Sequence, residues 1–267
     1  MLFRSMNFTI FGNPVEHSKS PQMQNAGFEQ LNFDGKYTKT HLEDGGIIKD
    51  VFLKNNLNGA NITVPHKEDA FKNADEVRGM AQKIGAVNTY ILEDTQVVAY
   101  NTDAPGFMKA IESFGNINSV LLLGAGGTAK AIAVALKEKN IEVTVLNRSQ
   151  SRLEYFKELG CIAYTWDTFK VSQYDLIVNS TSAGLKDEDL PAPKNIIEQS
   201  IQNSKYAFDC IYGKKTPFLQ LASQNNIQYK DGEDMLLYQG VIAFEYFTKQ
   251  SASKETIEAM RKGLKKG

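Results

Sequence analysis

The sequence predicts an α/β protein: an N-terminal α/β substrate domain, then a Rossmann-type nucleotide-binding domain, with the active site in the cleft between them. Three observations lead there. Val120–Leu123 is an apolar run suited to a strand buried on both faces, and Gly124-Ala125-Gly126-Gly127 breaks it. Ala129–Lys139 resumes at helical spacing, and Glu142–Leu146 is a second run rich in β-branched residues. Strand, glycine turn, helix and strand in that order make a βαβ unit with a dinucleotide fingerprint. A chain of 267 residues is long enough to build two modest cores.

From the N-terminus, Phe8–Phe11 predicts a short strand ending at Gly12-Asn13-Pro14. Ser20 before Pro21 is a good N-cap with proline at the first helical position, for a helix to about Leu31. Capping accounts for Ser20 but not for Ser18, and two hydroxyls at a helix mouth can also hold a carboxylate. Tyr37–Leu42 and Gly59–Val64 predict strands, with a helix over Gly46–Lys54 between them. Pro65 ends the second of these strands. Lys67 therefore sits just past a strand's carboxyl end, where α/β folds place ligands, the alternative being a solvated cation. Asp75–Ile84 predicts a helix. Gly85–Thr89 leads into one strand and Gln96–Tyr100 into another. Asn101-Thr102-Asp103 opens a helix over Ala104–Phe114, with Asp103 either its N-cap or a functional carboxylate.

In the nucleotide half, Gly124 permits the tight turn and Gly126 lets backbone approach a pyrophosphate. Ala129 fills the third small position, where helix and strand pack closely, and Ala125, Gly127 and Thr128 complete the turn. The helix start offers free N–H groups and a positive dipole end to phosphates. A site for NAD usually carries Asp or Glu about 20 residues beyond the glycines. This chain has Asn147-Arg148-Ser149 with Arg152 close behind. Arginine suits a 2′-phosphate, so the cofactor reads as NADP; arginines that are merely solvated are the alternative. Tyr174–Asn179 is a buried strand, and the loop Asn179–Gly184, which includes Thr181, either receives a nicotinamide half or is an ordinary Ser/Thr loop. Lys205–Tyr212 and Ile227–Lys230 predict strands around a helix over Thr216–Ser223. Asp234–Phe247 is strongly helical, with Gln239 either a structurally paired glutamine or a ligand group in an apolar segment. Lys254–Lys265 is amphipathic with a basic end. These elements divide into residues 1–105 and 106–233, with 234–267 returning to the first domain.

Composition narrows the function classes. Apolar residues make up 42% and charged residues 23%, a balance ordinary for globular chains. A net charge of -1 argues against an electrostatic nucleic-acid binder. Cys161 and Cys210 lie far apart in apolar contexts and form neither a disulfide framework nor a zinc spacing, which suits a reducing compartment. With only His17, His41 and His66, a histidine-rich metal cluster is not expected, and no metal is assigned. The most apolar stretch, Val120–Leu136, is interrupted by glycines and Lys130 and is no membrane span. Met1–Ser5 has no apolar signal region behind it, and Met6 is a candidate natural start. The chain reads as a cytoplasmic enzyme of a small molecule, a monomer or a homodimer.

Taken together, several short motifs resemble the shikimate dehydrogenase family. They are Gly12-Asn13-Pro14…His17-Ser18-Lys19-Ser20-Pro21, Asn61-Ile62-Thr63-Val64-Pro65-His66-Lys67, Gly85-Ala86-Val87-Asn88-Thr89 and Asn101-Thr102-Asp103-Ala104-Pro105-Gly106. The glycine turn, Asn147-Arg148-Ser149, Asn179–Leu185 and Asp234-Met235…Gln239 extend the match to nearly the whole chain. Each motif alone is unspecific; the ordered set is not. The resemblance implies reversible reduction of 3-dehydroshikimate to shikimate by NADPH, on the route to chorismate and the aromatic amino acids. It implies that Ser18 and Ser20 bind the substrate carboxylate, that Thr63, Asn88 and Gln239 hold ring hydroxyls, and that Lys67 and Asp103 are the catalytic pair. Two departures stand out. Gln24 occupies a position where the family often has histidine, and it looks peripheral to the site. The segment Tyr212–Pro217 lacks the proline common shortly after the tyrosine, which weakens Tyr212 as a carboxylate contact. The rival readings are a quinate/shikimate dehydrogenase that also uses NAD, against which Arg148 speaks, and a nucleotide-sensing binding protein without turnover. A sensor needs no proton-transfer pair, so Lys67 and Asp103 speak against the second.

Overall fold

The structure, a computed structural model, describes residues 5–266. Met1–Arg4, part of the stretch read above as lacking a signal region, and Gly267 lie outside the described residues. The chain divides into two compact units: one runs to Gly106 and takes in the residues from Leu237 on, and the other is Phe107–Leu236.

The first unit is built on strands β1 (Met6–Gly12), β2 (Gly35–His41), β3 (Gly59–Ile62), β4 (Glu76–Val77), β5 (Thr89–Glu93) and β6 (Gln96–Tyr100). They form one sheet in the order β2-β1-β3-β5-β6-β4. β1 runs parallel to β2 and β3, whereas β5 is antiparallel to both β3 and β6. That reversal positions the site. The amino end of β5 lies beside the carboxyl ends of β3 and β6, with Thr89 facing Asn61 on one side and Tyr100 on the other. Strand alternation sends Phe8 and Phe11 to opposite faces. Phe8 meets Phe28 of the helix Ser20–Leu31 at 5.2 Å and Phe247 of the helix Glu233–Thr248 at 4.8 Å. Phe11 is buried on the other face with Phe52 and Tyr90.

One expected helix is not there. Asp75–Ile84 is helical only over Ala81–Ile84, and Glu76–Val77 forms β4, parallel to β6. The Arg78 N–H donates to the Ala99 carbonyl, and Gly79 turns the chain at φ +64. Asp75, at the expected helix start, accepts instead from the Val97 N–H at 2.8 Å.

The second unit carries β7 (Ser119–Leu123), β8 (Glu142–Leu146), β9 (Ile162–Tyr164), β10 (Tyr174–Asn179), β11 (Ser204–Asp209) and β12 (Gln228–Lys230). The order is β12-β11-β10-β7-β8-β9, and every pairing is parallel. This is the doubly wound arrangement, in which strand order reverses between β7 and β10. Leu123 and Asn179, the last residues of those two strands, are paired neighbours. The glycine turn and the Asn179 loop therefore leave the sheet side by side at its switch point, where such folds bind nucleotides. Among the described residues, no helix is long and apolar enough to cross a membrane.

Candidate active site

In the first unit, the carboxyl ends of β1, β3 and β6 and the amino end of β5 bring the expected substrate-side residues other than Tyr212 and Gln239 to one end of the sheet. Lys67 opens the helix Lys67–Asn73, and Asp103 opens Asp103–Ile111. Their side chains meet, Lys67 Nζ donating to Asp103 Oδ2 at 2.5 Å. The lysine side chain is 21% exposed and the carboxylate 11%, so the pair is sheltered but reachable. An ammonium has three protons, and this bond uses one of them.

The open question over Asp103 resolves against capping. The Ala104 N–H donates to Asn101 Oδ1 at 3.2 Å, so Asn101 caps the helix and leaves Asp103 to face Lys67. The other carboxylate oxygen accepts from Asn88 Nδ2 at 2.9 Å. The orientation of the Asn88 amide is fixed because its Oδ1 accepts from the Thr102 N–H at 2.7 Å. Asn88 Nδ2 also lies 3.5 Å from Gln239 Oε1, at the limit of a hydrogen bond. Asn61 supports this edge from within β3: its Nδ2 donates to the Asn88 carbonyl at 3.2 Å, and its Oδ1 accepts from the Tyr37 hydroxyl at 2.7 Å. Asn61 and Asn101 had no role assigned from sequence, although asparagine between Ala60 and Ile62 in a buried strand was a readable signal.

Two further expectations need correction. Ser20 is not the N-cap; it is the first residue of its helix, and Lys19 at the cap position makes no side-chain cap bond. Ser18 does the related work, its hydroxyl accepting from the Ser20 N–H at 3.3 Å. Gln24 is not peripheral. It is fully buried, and its Nε2 donates to the carbonyl of Gly240, the residue after Gln239, at 2.9 Å. Thr63 follows β3 and is half-buried, its N–H donating to the Phe11 carbonyl.

The second unit holds the expected cofactor-side residues. Gly124 sits at φ +102, and a Cβ there would lie 2.8 Å from Thr181 Cγ2, so this turn requires glycine twice over. Around Gly126 and Gly127 the opposite holds: an added Cβ would meet nothing within 4 Å, which leaves open space at the start of the helix Gly127–Glu138. Thr128 lies in its first turn, Ala125 is buried just before it, and Ala129 is fully buried against the sheet. Open space, free N–H groups and the helix dipole together fit a pyrophosphate. After β8, Asn147 Nδ2 donates to the Ser149 carbonyl at 2.8 Å, shaping the turn from which Arg148 and Arg152 project exposed. Neither arginine has an ion-pair partner among the described residues. Two free guanidinium groups suit a 2′-phosphate. Tyr212 follows β11 and is 38% exposed.

Thr181 is held by Asn179, whose Oδ1 accepts from its N–H at 3.0 Å and its hydroxyl at 2.7 Å. Behind Asn179 lies Asp209, fully buried. It accepts from Asn179 Nδ2 at 3.1 Å, the Ile211 N–H at 3.0 Å and the Thr216 hydroxyl at 2.6 Å. Burial pushes its carboxyl up, against the pull of those three donors. A buried carboxylate costs several kcal/mol, and hydrogen bonds to a charged group return about 1.5–3 kcal/mol each. Three donors therefore come close to offsetting it. No motif singles out Asp209, although an aspartate closing the apolar run Ala207-Phe208 marks a buried charge. Among the described residues, no three His, Cys, Asp or Glu side chains are grouped to hold a metal ion.

A doubly wound sheet with this glycine turn, in one chain with a sheltered lysine–carboxylate pair, defines a nicotinamide-dinucleotide oxidoreductase. Comparison with known proteins narrows the class. Residues 10–90 match the shikimate dehydrogenase substrate binding domain, 109–205 match shikimate / quinate 5-dehydrogenase, and 232–262 match the shikimate 5′-dehydrogenase C-terminal domain. The chain is 45% identical to a shikimate dehydrogenase (NADP(+)) of Helicobacter hepaticus, over 95% of each protein. It is 43% identical to one of Helicobacter pylori, over 96% of this chain and 97% of that protein. A crystal structure of shikimate 5-dehydrogenase from Thermus thermophilus, in complex with NADP(H) and shikimate, superposes with a TM-score of 0.86. That match has 33% identity and covers 97% of this chain and 98% of the other. The chain belongs to the shikimate dehydrogenase family.

Proposed function

We propose that this protein is an NADP-dependent shikimate dehydrogenase that interconverts 3-dehydroshikimate and shikimate, a step toward chorismate and the aromatic amino acids. The observation that carries the reading is the Lys67–Asp103 pair, 2.5 Å apart and steadied by Asn88. When bound, NADP supplies hydride chemistry at its nicotinamide. The chain's residues do the rest. The helix start after Gly126 would hold the pyrophosphate, Arg148 and Arg152 the 2′-phosphate, and Ser149 and Thr181 other parts of the cofactor. Ser18, Ser20 and Tyr212 would bind the substrate carboxylate, and Thr63, Asn88 and Gln239 its ring hydroxyls. Reducing a ketone builds negative charge on its oxygen, and a proton must reach that atom. Lys67 Nζ, with Asp103 behind it, delivers that proton and takes it back in the reverse direction. A cytoplasmic location belongs to the same reading, with Cys161 and Cys210 far apart in the sequence.

The test is direct: follow the nicotinamide absorbance band while the protein oxidises shikimate with NADP. Steady reduction of NADP is expected, with much slower turnover when NAD or quinate is substituted. Comparable rates with NAD and quinate would favour the broader quinate/shikimate enzyme. NADPH binding without any turnover of shikimate would favour the nucleotide-sensing reading.

A further inference from the structure

Asp209 is a fully buried carboxylate with no lysine or arginine bonded to it among the described residues, and the proton-transfer step does not use it. Two of its three donors nevertheless belong to segments that the proposed function puts against ligands, and the third fixes the helix that follows them. Asn179 carries Thr181, the Ile211 N–H immediately precedes Tyr212, and Thr216 caps the helix Pro217–Gln224 by accepting from the Leu219 N–H at 3.3 Å. The chemistry of Asn179 explains why an acceptor must stand at position 209. A primary amide can be turned end for end at little steric cost. Only one orientation allows Asn179 Oδ1 to accept both Thr181 donors, and it requires Nδ2 to point at Asp209. A carboxylate accepts and never donates when ionised, so it enforces that orientation: its Oδ1 takes both Asn179 Nδ2 and the Ile211 N–H, while its Oδ2 takes the Thr216 hydroxyl.

We propose that Asp209 is a positioning residue: by accepting from Asn179, Ile211 and Thr216 at once, it orients the Asn179 amide and thereby holds Thr181 and the Tyr212 turn in their working positions. This inference rests on the assignment of Thr181 to the cofactor side of the site. Asp209→Leu keeps the approximate volume and removes every acceptor, whereas Asp209→Asn can keep an oxygen where Oδ1 accepts from Asn179 and Ile211 and alters only the Thr216 side. The kcat of Asp209→Leu at saturating NADP and shikimate should fall about ten- to a hundredfold, the scale of a small misplacement of reacting groups. Asp209→Asn should recover most of that loss. Asn179→Ala, which removes the bridge and leaves Asp209 its other two donors, should show the same kcat loss as Asp209→Leu. The double variant of Asp209→Leu and Asn179→Ala should lose little more than either single one, since both act through one link. Unchanged kcat in folded Asp209→Leu, or losses that simply multiply in the double variant, would overturn the proposal. Should Asp209→Leu not fold, wild-type kcat in Asn179→Ala overturns it alone. Thr181→Val separates the two levels: if it leaves kcat and the KM for NADP unchanged, the placement of Thr181 fails. If it impairs them while Asp209→Leu does not, only the role of Asp209 fails.

Discussion

Arg148 and Arg152 stand exposed beyond β8 without acidic partners among the described residues, an arrangement that leaves two delocalised cations free for an anion. We expect Arg148→Ala to weaken NADPH far more than NADH, because only the 2′-phosphate loses a charge-assisted contact. Such contacts are worth about 1.5–3 kcal/mol, roughly ten- to a hundredfold in dissociation constant. Titrations of both reduced cofactors by fluorescence would check it, and equal losses would make Arg148 a residue of the turn alone. At this scale the sequence identifies residue types well and their bonding poorly. Ser20 looked like a cap by its neighbour Pro21, yet the bond to the helix start is accepted by Ser18. By sequence Asp103 is equally fit to cap or to react, and a bond from Ala104 to Asn101 removes the capping alternative. Each outcome depends on a side-chain torsion, which residue spacing does not encode.

At the scale of elements, strands buried by alternating or continuous apolar residues were legible. Gln96–Tyr100, Glu142–Leu146 and Tyr174–Asn179 have the bounds that the sequence predicts, as does the amphipathic helix Lys254–Lys265. The segment after Asn73 was not, because its partners are remote. Asp75 accepts from Lys49 Nζ at 2.5 Å and from the Val97 N–H at 2.8 Å, contacts that no local pattern reveals. These bonds, that from Lys49 foremost, hold the Asp75 carboxyl below its ordinary value of 3.8. A lowered folded-state value means that ionised Asp75 favours the fold. Its contribution is complete above the ordinary value and disappears as pH falls through the lowered one. Asp75→Asn should therefore lower the thermal midpoint at pH 7 and converge on the wild type in acid. A difference constant across that range would show that the charge of Asp75 contributes nothing. Short β9, a three-residue edge strand at Ile162–Tyr164, and the helix Lys194–Gln202 also went unread, the strand being too short for a period to show.

At the scale of the whole molecule, the glycine turn announced the parallel sheet of the second unit, since that turn works only between a strand and a helix. The first unit carried no comparable signature. Its motifs are scattered over the sequence, and they gather because β5 runs against β3 and β6, which brings Asn88 beside Lys67 and Asp103. Strand direction is a property of the folded sheet, and for that reason only the ordered set of motifs pointed to the site. What matters most is whether that gathering serves proton transfer. The most direct measurement is kcat of Lys67→Ala on folded protein at saturating NADP and shikimate, with Lys67→Arg beside it. We expect Lys67→Ala to lower kcat by about 10²–10⁴ with a modest change in KM. Lys67→Arg should not restore it, because a guanidinium stays protonated and cannot pass the proton on. Near-wild-type kcat in Lys67→Ala would contradict the proton-transfer role and leave Lys67 a residue that positions Asp103.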